Sequence, residues 1–119
     1  MKENSLYTKE HLFILNQVFE IEQKIGKLKE CGSVRRNIDK IKEVFSLHLF
    51  GENAGLIIHN PEGESYSETR TDCNASISGT KSENLKIVEV IKPIILFVEN
   101  GKAQLAQKAV VVVSARSDC

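Results

Sequence analysis

The first fifty residues carry apolar side chains at helical spacing. From Thr8, which suits an N-cap, to about Glu30 there is no proline, and Gly26 is the only glycine. The apolar positions step by four, three, four and three residues, which is the heptad spacing of a seam between helices. A first helix is therefore predicted from Thr8 to Glu30. Its seam consists of Ile14, Val18, Ile21, Ile25 and Leu28, widened by Leu12, Leu15 and Phe19.

A second amphipathic segment follows a break at Cys31-Gly32-Ser33. Gly32 suits the position just after a helix, and Ser33 suits the N-cap of the next one. Gly51 ends the pattern, so a second helix is predicted to reach about Phe50. Its seam consists of Val34, Ile38, Ile41 and Phe45.

The two seams together present more apolar surface than one helical hairpin covers. Pairing with a second copy would close a four-helix bundle, which is the common way to bury such faces. We therefore expect a homodimer whose interface contains the seam residues of both helices. The alternative is that the stripes pack against a sheet of the same chain.

The residues after Gly51 follow the pattern of a small β domain. Asn100-Gly101 is a strong signal of a tight hairpin, and Pro93 marks a bend or an edge. The predicted fold class is α+β. A helical hairpin (residues 1–53) forms a dimeric four-helix bundle, and a small, mostly antiparallel β domain (residues 54–119) binds a partner. Strands are predicted at 55–59, 73–78, 87–90 and 94–98, and a return strand carries Leu105 and ends in the run Ala109–Val113.

Charge and cysteine content narrow the partners and the compartment. Sixteen basic and sixteen acidic side chains cancel, so no overall field attracts the chain to nucleic acid or to an anionic membrane. The three cysteines form no CxxC pair, which favours a reducing compartment. No apolar run is long enough to cross a bilayer, and the N-terminus lacks the pattern of a signal peptide. We expect a cytoplasmic protein.

The sequence contains little that indicates catalysis. The three histidines and three cysteines show no metal-ligand spacing, and there is no phosphate-binding glycine motif. Cys73 with Asp72 and His59 could form a nucleophile set, but a buried Cys73 on a strand is the competing interpretation. We therefore expect no catalytic residues, no metal and no cofactor.

Two charged loops are the candidate binding elements. Glu64, Tyr66 and Arg70 lie in a polar stretch that is either a solvated loop or a recognition loop. Lys102 and Lys108 lie on or near the predicted hairpin. They are either solvating charges or contacts for an acidic partner.

The order of these parts resembles the GrpE family, the nucleotide exchange factors of Hsp70 chaperones. Lys86–Ile91 is similar to that family's strand TVVEVL, and Asn100–Val113 is similar to its closing NGR…RPAMVVV. Gly55–Tyr66 is similar to its GVEPI…GEPFDP segment. In the first helix, Glu20 and Lys24 fall near charged positions of the family's DNLERAL.

The sequence also departs from the family pattern. Arg70–Cys73 replaces the family's HEA motif, and the residues around Lys92–Ile94 replace its KGY motif. The long helix that members carry ahead of the bundle is missing. The resemblance therefore suggests a short, divergent member.

The resemblance implies a function that needs no catalytic side chain. The β domain would bind the nucleotide-binding domain of an Hsp70-type chaperone and promote ADP release. The implied contacts are Lys102, Lys108 and Val113, followed by Glu64, Tyr66 and Arg70. The alternative is a dimeric, non-enzymatic adaptor that has no effect on nucleotide exchange, and an enzyme using Cys73 ranks third.

Overall fold

The chain forms two α-helices, one π-helix and seven strands in the part that the structure describes. The structure is a computed structural model, and it describes residues 6–28, 32–81 and 83–115. In chain order the elements are α1 (Lys9–Ile25), α2 (Gly32–Glu43), the π-helix (Val44–His48), β1 (Ala54–His59), β2 (Ser65–Tyr66), β3 (Cys73–Ile77), β4 (Leu85–Lys92), β5 (Ile94–Glu99), β6 (Lys102–Gln107) and β7 (Ala109–Ala115).

Helix α1 begins at the predicted cap. The Thr8 hydroxyl accepts a hydrogen bond from the backbone N–H of His11 at 3.4 Å, and the Thr8 N–H donates to His11 Nδ1 at 2.8 Å. This reciprocal pair is a capping box in which histidine takes the place usually held by Glu or Gln. The helix ends at Ile25, with Gly26 as its C-cap. The predicted end at Glu30 lies outside the described residues.

Helix α2 and the π-helix replace the single second helix expected from the seam. Gly32 and Ser33 are helical rather than a turn, and Cys31 lies outside the described residues. At Val44 the backbone widens into a π-helix that ends at His48. A π turn shifts the angular position of the residues that follow it, so the heptad spacing does not continue as one stripe.

The prediction of a long helical hairpin that forms a dimeric four-helix bundle is wrong. The structure has two short helices, of 17 and 12 residues, and two sheets with seven strands. Val18, Ile25 and Ile38 are buried together as one cluster within the chain. Lys42 Nζ pairs with Glu22 Oε2 at 2.9 Å beside that cluster. The helices therefore bury part of their seam against each other.

Another part of the apolar stripe packs against a strand of the same chain. The His11 ring lies edge-on to Phe45 and Phe50, with ring centroids 6.2 and 5.0 Å apart. Phe50 and Tyr7 in turn contact Phe97 of β5 at 6.0 and 5.1 Å. The start of α1, the π-helix and β5 thus share one aromatic cluster. This corresponds to the alternative in which the apolar stripes pack against a sheet of the same chain.

The strands form two sheets whose orders are β1-β5-β6 and β2-β4-β7-β3. β4 pairs antiparallel with both β2 and β7, whereas β3 pairs parallel with β7. The Asn-Gly hairpin prediction is confirmed. Asn100 and Gly101 have φ of 53° and 81°, as a type I′ turn between β5 and β6 requires. β2 was not predicted, since its two residues lie in a stretch that resembles a loop.

β4 contains two register shifts opposite β7. Ile87 pairs with Val113 and Glu89 with Val112, so Val88 between them has no partner residue. The second shift leaves Ile91 without a partner in the same way. Both are β-bulge positions, and both side chains are about half exposed, at 46% and 51%.

The chain divides into two compact units. The helical unit contains residues up to Ile58 together with Leu96–Gln104, and the sheet unit contains His59–Ile95 together with residues from Leu105 onwards. In the helical unit, Gly55 lies directly against the backbone of Ser46, leaving no room for a side chain. Neither described helix has the length and apolar character needed to cross a membrane.

Candidate functional site

Arg70 organises a network of charged side chains in the sheet unit. Its Nη2 donates to Glu64 Oε1 at 2.6 Å, and its Nε donates to Asp72 Oδ1 at 2.7 Å. Its Nη1 also donates to the backbone carbonyl of Ser65 at 2.9 Å. The guanidinium has a planar fork of donors, so one side chain fixes β2 and the following loop at once. With 19% of its side chain exposed, Arg70 is structural in this loop.

Glu64 connects this network to the end of β1. Its Oε2 lies 2.7 Å from His59 Nε2, while its Oε1 accepts from Arg70. Burial alone would raise the pKa of Glu64, but the hydrogen bonds from Arg70 and His59 outweigh it and lower that pKa overall. Glu64 is therefore ionised at neutral pH, and both of its oxygens are already bound. It has little capacity left for an outside cation.

Asp72 and Cys73 form the other end of the network. The hydrogen bond from Arg70 lowers the pKa of Asp72. Burial raises the pKa of the Cys73 thiol to about 11, and its hydrogen bond with Asp72 acts in the same direction. A nucleophilic cysteine needs a lowered pKa, because the thiolate is the reactive form. The environment of Cys73 does the opposite, and His59 is engaged with Glu64.

A groove of about 520 Å³ lies next to the network in the sheet unit. It takes lining residues from both edge strands of the four-stranded sheet, β2 and β3, and from the loop that leads into β4. Polar and apolar groups both contribute, as is usual for a site that orients what it binds. The lining residues are Tyr66, Ser67, Glu68, Ala75, Ile77, Asn84 and Leu85.

The predicted partner-binding residues occupy different environments. Lys102 and Lys108 are exposed, and neither has an ion-pair partner among the described residues. Tyr66 is half-buried at the groove. Val113 is fully buried, with 0% exposure, and pairs with Ile87. Val113 therefore offers no surface to a partner in this conformation.

The predicted dimerisation residues fall into two groups. Val18, Ile25, Ile38 and Phe45 are buried within the chain. The others keep 42–61% of their surface exposed and form a flank beside the buried cluster. This exposed flank consists of Ile14, Ile21, Leu28, Val34 and Ile41.

Sequence reasoning brought Glu64, Tyr66 and Arg70 together as one loop but missed their partners. His59 and Asp72 were considered only as companions of Cys73, whereas the structure pairs both of them with the loop. The groove residues Ala75 and Ile77 were also missed. Their alternation along β3 was visible, but no local signal shows which strand lies at the edge of a sheet.

No family model, no curated protein and no solved structure matches the chain. Among the described residues, no group of three or more His, Cys, Asp or Glu side chains is arranged to hold a metal ion.

Proposed function

We propose that the chain is a nucleotide exchange factor, a co-chaperone that binds the nucleotide-binding domain of an Hsp70-type chaperone and promotes ADP release. The proposal rests on the resemblance of the β half to the GrpE family. One structural observation supports it further. The Asn100-Gly101 hairpin, which is part of this resemblance, presents to solvent Lys102, a cation with no ion-pair partner in the described part of the chain.

The hairpin holds its lysine at a defined position. Asn100 and Gly101 both adopt positive φ, and the Asn100 N–H donates to the carbonyl of Asn53 at 2.8 Å. Lys102 is the first residue of β6, directly after this turn. A charge carried by a fixed turn loses less conformational freedom on binding than one on a flexible tail. Lys108, between β6 and β7, is a second exposed cation.

The proposed mechanism is a shift of population. A partner that prefers the open form of a nucleotide-binding domain favours that form, and nucleotide affinity falls by the same coupling free energy. Each tenfold change in affinity corresponds to about 1.4 kcal/mol. A few contacts that exist only with the open form are therefore sufficient. No group on this chain has to react.

The compartment and the assembly are part of the proposal. The protein acts in the cytoplasm, where its chaperone partner is found. A pair of copies would cover the exposed flank of the helical unit, without the four-helix bundle that the structure rules out. The solution mass of Ile21→Glu compared with the unmodified protein tests this point, because a charge in the flank should shift a dimer to monomers.

The decisive experiment is release of fluorescent ADP from the Hsp70 proteins of the same genome. The unmodified protein should accelerate release. Lys102→Glu and Lys108→Glu should each weaken the effect about threefold, mainly through slower association, because exposed interface charges act mostly on encounter. Lys40→Glu, on the exposed side of α2, is the matched control and should leave release unchanged.

The same experiment separates the proposal from its alternative. An adaptor would bind a chaperone or another protein without changing nucleotide release. If none of the Hsp70 proteins releases ADP faster in the presence of the unmodified protein, the exchange function is wrong and the adaptor is the better description.

A further inference from the structure

The groove defined above lies on one face of the four-stranded sheet. Residues that stand opposite each other on neighbouring strands direct their side chains to the same face. Tyr66 stands opposite Leu85. Ile77 stands opposite Val113, and so does Ile87 from the other side. Ile87 is two positions from Leu85, which returns its side chain to the same face. These side chains share what we call the inner face, and three of them line the groove: Tyr66, Leu85 and Ile77.

The inner face is apolar, and the groove gives access to it. Ile87 and Val113 are 0% exposed, and Leu85 is 7% exposed. Ile77, by contrast, keeps 48% of its surface exposed. On the opposite face of the sheet, the alternating residue Lys86 is exposed. A molecule in the groove therefore meets the apolar side of the sheet.

The segment between β2 and β3 supplies a second wall of the groove. These two strands lie at opposite edges of the sheet, so the segment that joins them runs from one edge to the other. Arg70 holds the segment through its bonds to Glu64 and Asp72. Ser67 and Glu68, at the start of the segment, line the groove. An internal ion-pair network thus fixes the wall that carries Glu68.

Glu68 gives the groove a negative charge beside an aromatic ring. It is the only carboxylate or amine among the lining residues, and it is exposed. It has no ion-pair partner among the described residues, since Arg70 is already shared by Glu64 and Asp72. Tyr66 is half-buried in the same groove. A carboxylate next to an aromatic ring attracts an ammonium group, whereas the apolar inner face attracts hydrocarbon.

We propose that this groove binds a small organic cation, which places its ammonium group at Glu68 and Tyr66 and its apolar body on Leu85 and Ile77. Asn84 also lines the groove and offers an amide to a polar substituent. The proposal is independent of the exchange function, since it uses neither of the two lysines assigned to the chaperone contact.

The size of the groove favours a small molecule over a protein segment. Its volume of about 520 Å³ lies within the range of roughly 300–1,000 Å³ that is usual for small-molecule sites. Its lining consists of seven residues. A stable protein interface uses roughly 20–30 residues on each side, which is several times more.

The test uses tryptamine, an indole with an ammonium group on a two-carbon arm. The chain contains no tryptophan, so indole fluorescence reports on the ligand alone. The anisotropy of tryptamine should rise on binding to the full chain, with a Kd on the order of 0.1–1 mM. Indole-3-propionate, which has a carboxylate in place of the ammonium group, should bind at least about tenfold more weakly. Tryptophol, the neutral counterpart, should fall between them.

Variants of Glu68 test the charge. Glu68→Gln should weaken tryptamine binding about fivefold. Glu68→Lys should reverse the preference, so that indole-3-propionate binds better than tryptamine. Glu62→Lys, on a turn outside the groove, is the matched control and should leave the order of the three compounds unchanged. An unchanged melting temperature shows that each variant is folded.

Methyl signals in NMR spectra locate the bound compound without variants. Tryptamine should shift the methyl signals of Leu85 and Ile77 on the inner face. The signals of Val112 should stay in place, because this residue stands opposite Ser76 and points to the other face.

Three results would overturn the proposal. The first is that tryptamine does not bind below about 10 mM or that the three compounds bind equally well. The second is that the Val112 signals shift in place of those of Leu85 and Ile77. The third is that a lysine peptide shifts the inner-face signals and tryptamine does not, because the occupant is then a protein side chain.

Discussion

Arg70 and Glu64 share a hydrogen bond of 2.6 Å that ties the loop after β2 to the residue that precedes this strand. The same guanidinium reaches Asp72 and the Ser65 carbonyl. Replacement by alanine leaves two carboxylates without their main donor. We expect Arg70→Ala to lower the free energy of unfolding by about 2–3 kcal/mol, measured by urea denaturation. Arg70→Lys should recover only part of the loss, because an ammonium cannot reproduce the fork. Equal stability of all three proteins would contradict the structural role of Arg70.

Acid should weaken the folded chain through the same network. The pKa values of Glu64 and Asp72 are lower in the folded chain than in the unfolded chain, where they take their ordinary values of 4.5 and 3.8. The unfolded chain therefore binds protons first as the pH falls. The stability that these two carboxylates contribute should be constant above about pH 5 and decline below it. In Arg70→Ala this decline should be shallower, and a decline of the same slope would argue against the assignment.

The raised pKa of Cys73 should lower the stability of the folded chain in alkali and slow the alkylation of this thiol. Its pKa of about 11 lies above the ordinary thiol value of 9.0, so the unfolded chain loses this proton first as the pH rises. The stability contributed by the neutral thiol is complete below pH 9 and is lost between these two values. At neutral pH we expect Cys73 to react with iodoacetamide far more slowly than a free thiol. Peptide mapping by mass spectrometry distinguishes it from Cys31 and Cys119, and rapid labelling of native Cys73 would contradict the prediction.

The close approach of Gly55 to Ser46 should make position 55 intolerant of any side chain. An ideal Cβ at Gly55 would lie 2.6 Å from the Ser46 carbonyl carbon, which is backbone and cannot turn aside. We expect Gly55→Ala to cost about 2–3 kcal/mol of unfolding free energy. Gly32→Ala is the matched control, since Gly32 is helical and has nothing within 4 Å. Gly32→Ala should change the free energy of unfolding by less than about 0.5 kcal/mol, and similar effects at both sites would contradict the packing described.

The hairpin turn gives a fifth prediction. Gly101 has φ of 81°, a conformation that β-branched residues adopt only under strain. Gly101→Val should lower the free energy of unfolding by about 1–2 kcal/mol, measured by thermal denaturation. Gly101→Asn should be better tolerated, because asparagine accepts this region more readily. A valine variant as stable as the unmodified chain would show that the turn is not type I′.

Local signals in the sequence predicted the local structure. Thr8 capped α1, Asn100-Gly101 formed the hairpin, and the valine run became β7. The sequence did not show in the same way which distant elements pack against each other. Heptad spacing shows that a face is apolar but not what covers it, and here Val18, Ile25 and Ile38 of the predicted seams are buried against each other within the chain. The regular spacing of Ile41 and Phe45 also gives no indication that a π-helix begins at Val44.

For the candidate site, too, the sequence showed local features but not long-range contacts. The charges of Glu64 and Arg70 were evident, but His59, which pairs with Glu64, lies at the end of β1. Val113 was expected at a surface by resemblance alone, and strand alternation placed it inward instead. Which strand lies at the edge depends on the order of the whole sheet. The groove that β3 helps to line could therefore be identified only once the three-dimensional fold was known.

The position of β7 affects how the protein is made. β7 lies between β4 and β3, and it is the last of the strands in the described residues. Until residues 109–115 are available, β3 and β4 lack the strand that joins them. Their valine- and isoleucine-bearing edges are then exposed to pairing with other nascent chains. Truncations that remove β7 should therefore cause insolubility during expression rather than a gradual loss of stability.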